Sequence, residues 1–242
     1  MRAVTASICK RGGRTVNQDA VCAETSADRL CLVACDGLGA YEGSELVSRL
    51  CADTLAELFR DAGEITEEDV RAFFREAHDR IVMFKSGDPR LASSCTTAAC
   101  VFCDGRRTFI AHTGDTRVYY FRAGREVFRT TDHSAAQLAV DHGKIDADGI
   151  RAHRDRNKLT RVVGGKYFVL PDVHVTEGAP AEGDAFLLCT DGFWEYVPDD
   201  EMKEAALLCA SPEDALARLE NVLLDHADAD NDNYSAIMTF VV

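Results

Sequence analysis

The chain has 242 residues, 41 of them acidic and 27 basic, for a net charge of −14 with neutral histidines; this disfavours a nucleic-acid partner, which selects a basic footprint. Charged residues make up 28% of it and no apolar stretch approaches the length that spans a bilayer, which argues against an integral membrane protein. A chain of this length is expected to bury one large core, and we read residues 1–242 as a single domain.

In chain order, the N-terminal ten residues are too short and too polar for a signal-peptide core, so a cytoplasmic location is the expectation. Residues 3–8 and 30–35 read as strands, with a polar segment containing Arg14-Thr15-Val16-Asn17-Gln18-Asp19 between them. Residues 43–60 carry Leu46, Val47, Leu50, Cys51, Leu55, Leu58 and Phe59 at helical spacing. A second helix is expected to begin at Thr66, with Asp69 as a capping-box variant and a stripe of Val70, Phe73, Phe74, Ala77, Ile81 and Val82. Residues 98–103 and 108–113 flank the Asp104-Gly105 hairpin signal, and strands are expected again at 117–122 and 126–129. The polar stretch 134–156 reads as a partly helical surface flap. Strands at 173–175 and 185–190 precede helices over 199–209 and from Ser211-Pro212 to about His226, and residues 234–242 form the last strand. Two groups of strands and two helix pairs without βαβ alternation predict an α+β layered sandwich with antiparallel sheets and helices over both.

Ten cysteines without a secretory signal read as reduced thiols, most of them inside apolar runs as small hydrophobes. Cys100 and Cys103 would point to opposite faces of a strand, which argues against a shared metal.

Four aspartates each sit where an apolar run breaks: Asp36, Asp115, Asp191 and Asp232. Asp-Gly and Asp-Asn are common turn dipeptides, and each taken singly reads as a turn. As a set, carboxylates at strand ends that meet along one edge repel one another unless a cation sits between them. Oxygen ligands of this kind suit Mg²⁺ or Mn²⁺ rather than Zn²⁺, which points to a metal-dependent hydrolase. Arg14 adds a guanidinium fork suited to phosphate oxygens, and Asp19 a further carboxylate.

These motifs, in order, resemble the PPM, or PP2C-type, metal-dependent protein serine/threonine phosphatases in their bacterial form. The resemblance rests on Arg14-x-x-Asn17-Gln18-Asp19, Asp36-Gly37-x-Gly39, Ser94-Cys95-Thr96-Thr97-Ala98, Gly114-Asp115-Thr116-Arg117, Thr131-Asp132-His133-Ser134, Leu159-Thr160-Arg161 to Gly164, Leu188-Cys189-Thr190-Asp191-Gly192 and Asp232-Asn233. It implies an αββα four-layer sandwich of two mainly antiparallel sheets flanked by helix pairs. It implies that Asp36, Asp191 and Asp232 hold one ion, and that Asp36 bridges to a second held with the Gly37 carbonyl and Asp19. Asp115 with Asp191 would hold the third ion seen in bacterial members, Arg14 would bind the substrate phosphate, and residues 134–156 would be the family's flap. Phosphorylated proteins, substrates of a serine/threonine kinase, would be the partners of a monomeric enzyme.

Four positions depart from the family pattern. Ala40 replaces a glycine, Leu38 stands where eukaryotic members carry a histidine, Tyr41 where bacterial members often do, and Cys95 replaces a glycine. The proton donor is thereby left open between a cation-bound water and His133, though a structural role is the reading for His112 and His133, and packing for Trp194 and Tyr196. A pseudophosphatase acting as a binding module and a small-molecule phosphomonoesterase stay as alternatives.

Overall fold

The computed structural model describes residues 2–26, 28–38 and 43–242. The departures at Ala40 and Tyr41, and Gly39 of the Asp-Gly motif, lie outside the described residues. The strands are β1 (Ala3–Lys10), β2 (Asp19–Thr25), β3 (Leu30–Leu38), β4 (Cys95–Thr96), β5 (Ala98–Cys103), β6 (Arg107–Thr113), β7 (Arg117–Arg122), β8 (Arg125–Arg129), β9 (Asp172–Glu177), β10 (Asp184–Cys189) and β11 (Tyr234–Val241). The helices are α1 (Ser44–Asp61), α2 (Glu67–Ser86), α3 (Ala135–Asp141), α4 (Asp191–Trp194), α5 (Asp199–Leu208) and α6 (Pro212–His226).

One sheet runs β1-β11-β10-β7-β8 and the other β2-β3-β5-β6-β9, with β4 beside β3. Every pairing is antiparallel. The expected α+β sandwich is what forms. Along β3, Leu30, Leu32 and Ala34 face the gap between the sheets, where they meet Ile110, Phe186, Leu188 and Ile237. Cys31, Val33 and Cys35 point the other way, onto Val47, Leu55 and Phe59 of α1 and Phe74 of α2. Burial on both faces explains why this run is apolar throughout instead of alternating. On the opposite sheet Tyr119, Leu187 and Met238 pack under Trp194, Leu216, Leu219 and Leu223. Helices, sheet, sheet, helices is therefore the layer order.

Local chemistry fixes the element ends. Thr66 and Asp69 form a reciprocal capping box at α2, with Asp69 N–H donating to Thr66 Oγ1 (3.2 Å) and Thr66 N–H to Asp69 Oδ2 (2.8 Å). Ser211 caps α6, with Pro212 as its first residue. Cys100 and Cys103 do point to opposite faces of β5. Three elements were not expected: β2, β4 and α4. β2 is the edge of its sheet, so it carries small and polar residues in place of an apolar run; β4 and α4 are too short to give a periodic signal.

Candidate metal centre

The antiparallel register of β2 and β3 sets Asp19 directly opposite Asp36. Asp36 lies within β3, two residues short of its end, and not in a turn. Its N–H donates to Thr97 Oγ1 (2.9 Å), and its carbonyl accepts from Thr97 N–H and Thr96 Oγ1, both at 2.9 Å. The next residue must be glycine: a Cβ on Gly37 would stand 2.5 Å from the Ser44 carbonyl oxygen and 2.6 Å from that of Gln18. The hydroxyls of Ser44 and Ser48 donate to the Leu38 and Gln18 carbonyls, tying the start of α1 to both strands.

Asp115 follows β6 in a tight bend, and its backbone carbonyl accepts from the Trp194 indole N–H at 2.9 Å. Trp194, read as a packing residue, is buried in the core and also holds this loop. Asp191 is the first residue of α4, immediately beyond β10. Gly192 lets that helix start press onto residues 232–233, because a Cβ there would be 2.1 Å from the Asn233 carbonyl oxygen. The Asn233 side chain gathers the N-terminal loop: Gln18 N–H donates to its Oδ1 (2.8 Å), and its Nδ2 donates to the carbonyls of Arg11 (2.8 Å) and Val16 (2.9 Å). Arg14 is thereby carried to Asp232, where Nε and Nη2 donate to the two carboxylate oxygens at 3.1 Å each.

The result is one cavity of about 500 Å³ lined by Arg14, Gln18, Asp36, Gly37, Glu45, Asp115, Asn157, Leu159, Asp191, Asp232 and others. Asp19 lies buried, directly across from Asp36 in the β2–β3 register. The structure thus brings together Arg14, Gly37 and the five aspartates singled out as phosphate and cation ligands. The Asp36 carboxyl lies among those of Asp19, Asp191, Asp115 and Asp232, whose charges act on it. Burial pushes Asp36 and Asp115 well above the ordinary carboxylate range, and Asp191 raises both further. Burial likewise lifts Asp19 to about 7, reinforced by Asp232, and Asp191 to about 7, reinforced by Glu195 and Asp232. Nearby arginines are already committed, Arg14 to Asp232 and Arg117 to Asp132. Asp19 Oδ2 accepts from the Thr190 hydroxyl at 2.9 Å, but its Oδ1 is buried with no partner. A crowded set of oxygen donors, one of them orphaned, fits a hard divalent cation.

The roles of several contributors escaped the sequence reading, although Thr97, Leu159 and Thr190 stand in motifs quoted above. Thr190 and Thr97 look like ordinary strand residues, and Glu45 like a first-turn acid that favours any helix start. Asn157 and Leu159 reach the cavity because the flap is pinned by the Ser134–Leu159 bridge and by the Arg156–Glu195 pair. His133, one of the two candidate proton donors, does not line this cavity. Its Nδ1 accepts from Gly114 N–H (3.2 Å), its Nε2 meets Asp172 (3.2 Å), and its ring stacks on His112 at 4.5 Å. It is a satisfied structural histidine.

The profile of the protein phosphatase 2C family matches residues 10–224. The chain belongs to that family. The serine/threonine protein phosphatase PstP of Mycobacterium tuberculosis is 30% identical over 212 residues, covering 87% of this chain and 40% of that protein. The chain therefore spans about two fifths of the length of that curated relative. A crystal structure of the M. tuberculosis phosphatase superposes with a TM-score of 0.85 at 27% identity, covering 99% of this chain and 98% of the other. The catalytic domain of PstP in complex with two manganese ions superposes with a TM-score of 0.83 at 28% identity, covering 99% and 98%.

Proposed function

We propose that this chain is a metal-dependent protein serine/threonine phosphatase, and that its described fold is one catalytic domain. The observation that carries the reading is the cavity lined by Arg14, Asp36, Asp115, Asp191 and Asp232, with the buried Asp19 across from Asp36 and one of its carboxylate oxygens orphaned. Asp36, Asp191 and Asp232 would hold one Mg²⁺ or Mn²⁺ ion; Asp36, the Gly37 carbonyl and Asp19 a second; Asp115 with Asp191 a third. When bound, such ions make water a competent nucleophile near neutral pH and offset the charge of an in-line phosphoryl displacement.

The protein's own residues do the rest. Thr190 and Thr97 hold Asp19 and Asp36 in place through fixed hydrogen bonds. Arg14 is half exposed and spends two prongs of its fork on Asp232, so it turns to a substrate phosphate when Asp232 is otherwise engaged. Asn157 and Leu159 bring the flap to the cavity, where it contacts the residues flanking the phosphorylated side chain. Phosphoproteins made by a serine/threonine kinase are the substrates we infer. Ten free thiols suit a reducing compartment, which supports a cytoplasmic location, and no helix among the described residues is long and apolar enough to cross a membrane.

The test is hydrolysis of a phosphothreonine peptide beside a sugar phosphate, with and without Mn²⁺, by the wild type and by Asp191→Asn. Mn²⁺-dependent release from the peptide, lost by at least about 100-fold in the variant, is expected. Equal rates in the variant, or a preference for the sugar phosphate, contradict the reading.

A further inference from the structure

A second cavity, of about 390 Å³, lies between β8, α5 and the flap, and shares no lining residue with the carboxylate cavity. Its wall carries three guanidinium groups, from Arg117, Arg129 and Arg151, and four carboxylates, of which Asp132 and Asp199 are the two paired with them. Both oxygens of Asp132 are taken by Arg117, at 2.8 and 2.7 Å. Asp199 serves three donors: Tyr119 Oη and Arg151 Nη2 on one oxygen, and Arg129 on the other. This group therefore keeps one positive charge in excess. Glu126 and Asp148 line the cavity from exposed positions, where solvent and salt screen them.

One donor is left over. Arg151 Nη1 is buried and has no hydrogen-bond partner. Native interiors rarely leave such a group unmatched, and a guanidinium matches the geometry of a phosphate better than any other side chain does. We propose that this cavity is a second anion-binding site, which takes a phosphate-type oxyanion between Arg151 and Arg129. It is independent of the catalytic reading, because none of its residues belongs to the carboxylate cluster.

The chain supplies its own reporter. Trp194 is the only tryptophan, with the Arg117 guanidinium 3.6 Å and the Arg151 guanidinium 5.7 Å from its ring centroid. An anion that draws on Arg151 changes the field at that indole. The experiment titrates inorganic phosphate into EDTA-treated protein, at constant ionic strength, by calorimetry and by Trp194 fluorescence. In that state the uncompensated aspartates repel phosphate from the other cavity. The expected result is one saturable site with a matching fluorescence change. Arg151→Gln weakens it about tenfold or more, and Arg14→Gln leaves it unchanged. Arg129→Gln, on a different element, is predicted to give the same loss and serves if Arg151→Gln folds poorly. No saturation, or binding that survives in both Arg151→Gln and Arg129→Gln, or binding lost only in Arg14→Gln, overturns the proposal.

Discussion

Gly192 has no room for a methyl group, since its Cβ would meet a backbone carbonyl that cannot retreat without moving Asp232. Gly192→Ala is therefore expected to cost about 1–3 kcal/mol and to cut Mn²⁺-dependent activity, whereas Gly63→Ala, with nothing within 4 Å, leaves both near wild type. Thermal melts and peptide hydrolysis measure the pair. Arg14 gives a less obvious expectation. On the proposed function it would compete with a cation for Asp232 and contact substrate only when released, so Arg14→Gln should raise the KM for a phosphopeptide while leaving Mn²⁺ affinity unchanged or about 2–3-fold higher. A fall in Mn²⁺ affinity, read by calorimetry, would contradict that competition. The four aspartates at the breaks of apolar runs were legible because the period of burial stops where the charge begins. Asp-Gly, however, is also the spelling of a turn, and only the packing distances separate the two: Gly37 continues a strand and Gly192 opens a helix, each against a neighbouring backbone. Thr190 stands in the Leu188-to-Gly192 motif, but nothing local shows that it donates to Asp19, 171 positions away in sequence.

Elements with a strong period or cap were legible to within a residue or two, as α1, α2 and α6 are. The capping box at α2 is exposed and remote from the site, so Thr66→Ala should cost about 1 kcal/mol with peptide hydrolysis unaltered. Chemical denaturation compares it with the wild type. β6 carries a pH-sensitive element. His112 is buried, stacks on His133, and has Nε2 2.8 Å from the Thr131 carbonyl oxygen. Burial, with help from His133, lowers its pKa from 6.5 to about 4. The unfolded chain then binds the extra proton between those values, so this contribution to stability is full above pH 6.5 and is lost as pH falls towards 4. The loss is about 2–3 kcal/mol, to be followed as the melting temperature between pH 7 and 4. His112→Gln should flatten that part of the profile; an unchanged slope would assign the acid sensitivity elsewhere. The edge strand β2 was illegible for a physical reason: with one neighbour, its residues need not be apolar, and only its register with β3 makes Asp19 a partner of Asp36.

At the scale of the whole molecule, the layer order follows from strands buried on both faces and helices striped on one. That much could be read from periodicity. Which strand neighbours which could not, because β1 with β11 and β6 with β9 join segments far apart in sequence. Those long-range pairings set the sheet ends side by side and concentrate part of the chain's acidity in one cavity. On the proposed function, the fold tolerates this concentration because a divalent cation relieves it. The most direct measurement is the melting temperature at neutral pH, in EDTA and in Mn²⁺, for the wild type and Asp191→Asn. Removing one of the mutually repelling charges should stabilise the cation-free protein, so the variant is expected to melt above the wild type in EDTA. Saturating Mn²⁺ should reverse the order, because only the wild type gains the full binding energy, about 2.7 kcal/mol at 100 times the Kd. A wild type whose melting temperature does not move with Mn²⁺, or a variant below it in EDTA and equal to it in Mn²⁺, would contradict the account.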